Sequence, residues 1–353
     1  MYNIILAFIT AFLLTFRVIP PIIVLAKKKK LYDEPDNRKS HSEITPRLGG
    51  IAIFAGLIFS IILWTPFGYL GDLQYILSAF IIMFLIGAKD DIEMVSPVKK
   101  FTAEFLAALI LIFKANVRIT DFYGILGVNE IPFWASIIFS LFVIIAIVNA
   151  FNLIDGVDGL AGTVGLLVSI ILGYWFFNID RIELSIVAFA MAGSIIGFLY
   201  YNYSPAKIFM GDTGSLLIGL VAAILAIKFI EINKEPGIMA YHIEAGPVFV
   251  LAVLVLPIFD TVRVMTLRIM NNKSPFQPDR NHIHHLLLDL GLNHMQVTSI
   301  LTGINILVIA GVYYLRKVDI NILLMILIVF VFTLISILVI LHKRKKAKNI
   351  LNK

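Results

Sequence analysis

Apolar residues fill the chain in eleven blocks parted by short polar stretches. The blocks lie near 2–26, 48–65, 73–88, 101–116, 132–151, 160–178, 182–200, 215–232, 246–268, 297–315 and 320–341. A helix needs about 20 apolar residues to cross a bilayer. Most blocks approach that length, and 73–88 is the short one. The pattern therefore predicts an all-α polytopic membrane protein with about 11 transmembrane helices. No soluble domain fits between the blocks, and neither an internal repeat nor a low-complexity region stands out. The expected organisation is one transmembrane domain over 1–341 and a basic cytoplasmic tail over 342–353.

Composition agrees with this pattern. Hydrophobic residues make up 59% of the 353 positions and charged residues 15%, with a mean hydropathy of +0.94. Soluble domains are nearer half apolar and a quarter charged, so the apolar excess must face lipid. There is no cysteine, which excludes disulfides and thiolate metal sites. The formal net charge is +6, and the tail holds Lys343, Arg344, Lys345, Lys346, Lys348 and Lys353 without an acid. Such a tail reads as a topology anchor at an anionic leaflet, and no nucleic-acid partner is expected. The first block lacks a basic leader and a small-residue cleavage site, so it reads as a retained helix.

Loop charges give an orientation. Lys27 to Lys30, Arg38, Lys39 and Arg47 follow the first block, Lys89, Lys99 and Lys100 the third, and Lys273 and Arg280 the ninth. The opposite loops carry only Arg118, Arg181, Lys234, Arg316 and Lys317. Positive residues stay inside, which puts the N-terminus outside and the C-terminus in the cytoplasm.

Four polar clusters then emerge on one face, the cytoplasmic one, because two crossings separate each from the next. Asp90 and Asp91 end the third block. Ionised carboxylates beside hydrocarbon are costly and are usually paired, metal-bound or functional, although a solvated helix end explains them equally. The run from Asn149 through Asn152, Asp155, Gly156 and Asp158 to Gly159 is richer. Two amides and two acids recur at a three-residue spacing, one face of a helix, and glycines let backbone approach a ligand. A capped turn is the plainer alternative, but it needs no such density of amides and acids.

Gly211-Asp212-Thr213-Gly214-Ser215 opens the eighth block. A carboxylate at a helix start suits phosphate or Mg²⁺ work, or caps the helix. The stretch Asp279-Arg280-Asn281-His282-Ile283-His284-His285 reads as a phosphate clamp, as a zinc site, or as the start of an interfacial helix. The acidic clusters favour the clamp. Lys100 and Lys207 flank the acids; Lys207 reads as an ordinary positive-inside residue. Asp33, Asp36, Arg38 and His41 form a polar loop between substrate contact and simple solvation. Carboxylates, cations and lipid access at one membrane face suit phosphoryl transfer to or from a lipid, where a protein mostly positions groups and neutralises charge. A transporter would place polar groups near the midplane.

These motifs resemble the polyprenyl-phosphate N-acetylhexosamine-1-phosphate transferases, which include the MraY and the WecA/TagO branches. Gly87 to Asp91, Asn149 to Leu160, Phe209 to Ser215 and His282 to His285 carry the likeness, which covers nearly the whole chain. The resemblance implies an Mg²⁺-dependent catalytic domain, with Mn²⁺ as an alternative. It implies that Asp212 and Asn152 hold the metal, and that Asp90, with Asp91 beside it, deprotonates the lipid phosphate. Gly156, Asp158, Asn202 and Phe209 would form the uridine pocket, Phe209 stacking on the ring. Lys100, Asp155, Arg280, His282, His284 and His285 would contact diphosphate and sugar. The partners implied are a UDP-sugar, undecaprenyl or another polyprenyl phosphate, and the lipid bilayer of the cytoplasmic membrane; a homodimer is left open. The products would be a polyprenyl-diphospho-sugar and UMP. Ile283 interrupts the histidines, where the MraY branch resembles three in a row, and Arg38-Lys39-Ser40-His41 is similar to the WecA/TagO branch. UDP-N-acetylglucosamine is therefore the expected donor, and UDP-N-acetylmuramoyl-pentapeptide the alternative.

Overall fold

A computed structural model describes residues 1–29, 31, 45–235, 240–272 and 281–351. Arg280, together with Asp33, Asp36, Arg38, Lys39, Ser40, His41, Lys273 and Asp279, lies outside the described residues.

All eleven apolar blocks are helical. In chain order the helices are α1 (Tyr2–Lys29), α2 (Gly49–Trp64), α3 (Leu73–Ile92), α4 (Pro97–Lys114), α5 (Phe133–Ile154), α6 (Leu160–Asn178), α7 (Ile182–Asn202) and α8 (Gly211–Asn233). They continue as α9 (Gly246–Val253), α10 (Val255–Met270), α11 (Ile283–Asp289), α12 (His294–Tyr314) and α13 (Ile320–Leu351). By length and apolarity seven of these helices could cross a membrane, or eight if α9 and α10 make one broken span. The chain is a multi-pass membrane protein. The helix α2 is apolar but has only 16 residues, and α4 carries Lys99, Lys100, Glu104 and Lys114. The helix α13 runs on past residue 341, so the basic stretch begins as a continuation of the last apolar helix.

The ninth block differs from the expected straight helix. It breaks at Leu254, and α9 meets α10 at 80°. Pro257 explains the break: it has no N–H for the carbonyl of Val253, and its ring would strike that carbonyl. Asn305 on α12, fully buried, donates from Nδ2 to Ala252 O at 3.0 Å, so the bend does not strand that carbonyl in an apolar interior.

Helix α8 is apolar on every side and is buried along nearly its whole length, as the central helix of a bundle must be. The helices α2, α3, α5, α6 and α7 pack around it. Close approach is written into glycine: a Cβ on Gly87 of α3 would lie 2.6 Å from Thr213 Cα of α8. The peripheral α1 and α13 bury much less of their surface.

An unexpected antiparallel hairpin, β1 (Asp121–Ile125) and β2 (Val128–Glu130), closes one end of the bundle. Thr120 N donates to Glu231 Oε1 at 2.7 Å, near the end of α8. Leu126 N donates to Asn321 Oδ1 at 2.8 Å on α13. At 1.5 Å per residue, α8 separates this end from its own N-terminus by roughly 30 Å. The chemistry lies at that opposite end.

Candidate active site

The site begins where α8 begins. The first N–H groups of a helix have no partner within it, and its N-terminus carries partial positive charge. Asp91, at the end of α3, supplies both partners. Its Oδ1 accepts from Asp212 N at 2.7 Å and its Oδ2 from Thr213 N at 3.0 Å. The Thr213 hydroxyl also donates to Oδ2. Burial, with some help from Asp90, pushes the Asp91 carboxyl up to about 6, against the pull of these hydrogen bonds and of Arg47. Gly211 turns the chain into α8 with φ +70. A Cβ there would strike Arg47 O and lie 2.5 Å from Asp91 Oδ1, so the position requires glycine.

Lys100, in the first turn of α4, reaches across to α8. Its ammonium pairs with Asp212 Oδ2 and lies 3.7 Å from Asp90 Oδ2. The other Asp90 oxygen accepts from Val95 N at 2.7 Å, which fixes the carboxylate. Asn152, in the last turn of α5, turns its amide nitrogen to Asp212 Oδ1 at 3.1 Å and Ser215 Oγ at 3.0 Å. In this orientation Asn152 steadies Asp212. Asp90, Asp91, Lys100, Asn152 and Asp212 thus come together from four helices.

Asp90 and Asp212 are the carboxylates that could hold a divalent cation, because a positive charge already sits between them. Among the described residues no group of three or more His, Asp and Glu is spaced to hold a metal. The pair of carboxylates itself fits a hard cation such as Mg²⁺, which takes one or two carboxylates and completes its shell with phosphate oxygens.

The Asp-Gly-rich turn between α5 and α6 forms a second wall. Asn202 holds it: Gly159 N donates to Asn202 Oδ1 at 2.8 Å, and Asn202 Nδ2 donates to Ile208 O at 2.8 Å. Phe209 follows directly, and its N donates to Pro46 O at 2.8 Å. Asp158 is buried; its carboxylate lies 3.3 Å from His294 Nδ1, and its carbonyl accepts from the Thr298 hydroxyl at 2.9 Å. Burial of its carboxyl and the neighbouring Asp91 hold Asp155 well above the usual carboxylate range; Arg47 opposes the shift and Asp158 adds to it.

Helix α11 forms a third wall. Its His284 is buried against the turn, so that a Cβ on Gly156 would lie 2.6 Å from His284 Nε2. Burial, then the neighbouring His285, lowers the His284 imidazole to about 3, and it stays neutral near pH 7. The His282 ring stacks on His284 at 5.5 Å between centroids, and the His285 ring lies 4.3 Å from it. Buried His282 bonds Asp260 Oδ2 through Nδ1 at 2.9 Å.

Several residues here escaped the sequence reading. Glu104 lies buried on α4, where its Oε2 accepts from Asn149 Nδ2 at 2.6 Å. Asp260, His294 and Thr298 are the others. For Glu104 and Asp260 a signal existed, since a lone acid inside an apolar block is a functional candidate by default. For His294 and Thr298, ordinary members of a helix start, only packing reveals the partner.

Fold and site together define a polytopic membrane protein whose acids, amides, lysine and histidines converge at one end of the helix bundle. A family model described as glycosyl transferase family 4 matches residues 73–230, the stretch from α3 to α8. A probable undecaprenyl-phosphate N-acetylglucosaminyl 1-phosphate transferase of Bacillus subtilis is 33% identical over 301 residues, 83% of this chain and 80% of the relative. An undecaprenyl-phosphate alpha-N-acetylglucosaminyl 1-phosphate transferase of Haemophilus influenzae is 30% identical over 329 residues, 90% of this chain and 88% of the relative. A decaprenyl-phosphate N-acetylglucosaminephosphotransferase of Mycobacterium tuberculosis is 29% identical over 313 residues, 83% of this chain and 78% of the relative. This chain belongs to glycosyl transferase family 4, and the resemblance carried by the four motifs is borne out.

Proposed function

We propose that this chain transfers N-acetylglucosamine-1-phosphate from UDP-N-acetylglucosamine to undecaprenyl phosphate and releases UMP, the first step of a cell-envelope glycopolymer such as teichoic acid or O-antigen. The activities for which the Bacillus and Haemophilus relatives are named support the donor and the lipid. The observation that carries the reading is the pairing of Lys100 with Asp212 and Asp90 beside the Asn152 amide. This cluster sets one lysine against two carboxylates where apolar helices end, so it keeps negative charge for a cation to meet.

In the reaction, Asp90 takes the proton of the lipid phosphate. The phosphate oxygen bonds to the sugar-linked phosphorus of the donor, the bond from that phosphorus to the bridging oxygen breaks, and UMP leaves with that oxygen. Lys100 neutralises charge on the diphosphate, and Asn152 keeps Asp212 aimed at the site. Mg²⁺, held by Asp212 with donor oxygens, would stabilise the charge that builds up on the transferring phosphate; Mn²⁺ is the alternative ion. Phe209 and the turn from Gly156 to Asp158 would receive the uridine, and His284 would donate a hydrogen bond from a neutral ring.

The reading includes eleven crossings, with the N-terminus outside and the site facing the cytoplasm, where nucleotide sugars are made. Loop charge supports that orientation: Lys27 to Lys29, Arg47, Lys89, Lys99 and Lys100 lie at the site's end of the bundle.

The test is transfer by the purified protein. Label passing from UDP-N-acetylglucosamine to an organic-soluble product, with UMP released and dependent on Mg²⁺, is expected. Activity with UDP-N-acetylmuramoyl-pentapeptide alone would replace the donor, and no transfer from any UDP-sugar would overturn the reading.

A further inference from the structure

Asp260 is the one acid of α10 and is 3% exposed, on a helix that also carries Thr261, Arg263 and Arg268. A carboxylate in such a place must have its charge and lone pairs answered. Both of its oxygens are committed to one short segment: Oδ2 meets His282 Nδ1 at 2.9 Å and Oδ1 accepts from Ile283 N at 2.9 Å. Helix α11 has only seven residues and no cap of its own, because His282 at its N-cap makes no side-chain bond to it. Asp260 therefore replaces the missing cap from another helix. One helical turn on, Arg263 Nη1 donates to Asn281 O at 2.5 Å and ties down the preceding residue.

The bond to His282 decides the ring's chemistry. A carboxylate only accepts, so Nδ1 must carry the proton, and Nε2 is the atom left to meet a ligand. The ring is stacked, nearly parallel, on His284, which itself lies against Gly156 of the Asp-Gly turn.

We propose that Asp260 is a positioning residue for donor recognition: by fixing the proton on His282 Nδ1 and capping α11, it leaves His282 Nε2 as an acceptor for a hydroxyl or amide N–H of the nucleotide sugar. The inference rests on the reading of this face as the donor site.

Asp260→Asn provides the test, in the full-length protein. The asparagine can still accept from Ile283 N through its oxygen, but it then turns N–H toward His282 Nδ1. That nitrogen must become an acceptor, and the ring proton moves to Nε2. The KM for UDP-N-acetylglucosamine should rise about tenfold, the scale of one misdirected hydrogen bond, with the KM for the lipid within about twofold. In a His282→Ala background the same substitution should add nothing. Equal rises in both KM values, or an undiminished effect without His282, would overturn the proposal and leave Asp260 a purely structural residue. Nitrogen NMR of labelled histidine, with His282 assigned by His282→Gln, reads the proton directly. An Nδ1-protonated ring that stays so in Asp260→Asn overturns the inference whatever the turnover. An inactive wild-type protein would instead sink the transferase reading, and the nitrogen shift would still decide the role of Asp260.

Discussion

The carboxylate of Asp91 lies 2.7 Å from the main-chain nitrogen of Asp212, so the end of α3 caps the start of α8. The two acidic motifs, 121 residues apart, are therefore one structure. Asp91 aims the backbone that carries Asp212, and Asp212 is left to face Lys100.

That cap predicts the behaviour of Asp91 variants. Asp91→Ala should lower stability by about 1–2 kcal/mol, the usual cost of losing a helix cap, and should reduce turnover with it. Asp91→Asn keeps an acceptor and should lose less. Thermal unfolding in detergent, read beside turnover, checks this, and an unchanged melting point for Asp91→Ala would refute the cap.

Gly211 should tolerate no side chain. Its φ is +70, and the space a Cβ needs is taken by Arg47 O and Asp91 Oδ1. Gly211→Ala is expected to abolish turnover or folding. Gly303→Ala on α12, where nothing lies within 4 Å, should be neutral. Expression, melting and turnover of the pair make the comparison, and an active Gly211→Ala protein would contradict it.

Asp212→Asn should cut turnover by at least on the order of a hundredfold while the protein stays folded, because it removes charge from the reacting centre. Lys100→Ala should do likewise. Because the two residues touch, the double variant should fall far short of the product of the single losses. Multiplicative losses would mean that the two side chains act apart.

His284 ties stability to pH. Its imidazole is held at about 3 in the folded protein against an ordinary 6.5. Below the ordinary value the unfolded chain takes up a proton that the folded chain refuses. The stability that rests on neutral His284 is therefore present above about 6.5 and drains away as pH falls toward 3. His284→Gln should flatten the loss of melting temperature between neutral and mildly acidic buffer, and an identical slope in the variant would refute the assignment.

His284→Ala should also raise the KM for the donor more than that for the lipid. Kinetics with each substrate varied in turn decide this, and equal shifts would argue that the ring acts through structure alone.

Much of this protein was legible in the order of its residues. The apolar blocks marked every long helix, because a helix in lipid must satisfy its own backbone and show apolar side chains outward. The positions of Asp90, Asn152, Asp212 and His284 at block ends placed them together at one end of a bundle. Pro257 was a visible signal for the bend at Leu254, but Pro20 and Pro21 lie inside the unbroken α1, so a proline in an apolar block did not by itself separate a bend from a continuous helix. Sequence did not reveal the hairpin at 121–130 either, where positive φ at Tyr123 and Leu126 goes against the residues' own preference.

The division has a physical cause. Which segments enter lipid and which face their polar ends share depend on local composition and on counting crossings, and the sequence alone decides both. Which atoms touch depends on how helices distant in the chain pack, and only the tertiary structure decides that. It made Asp91 a cap and Asn202 a brace, paired Lys100 with Asp212, and set Asp260 behind His282, because a buried polar group takes whichever partner the packing brings within about 3 Å.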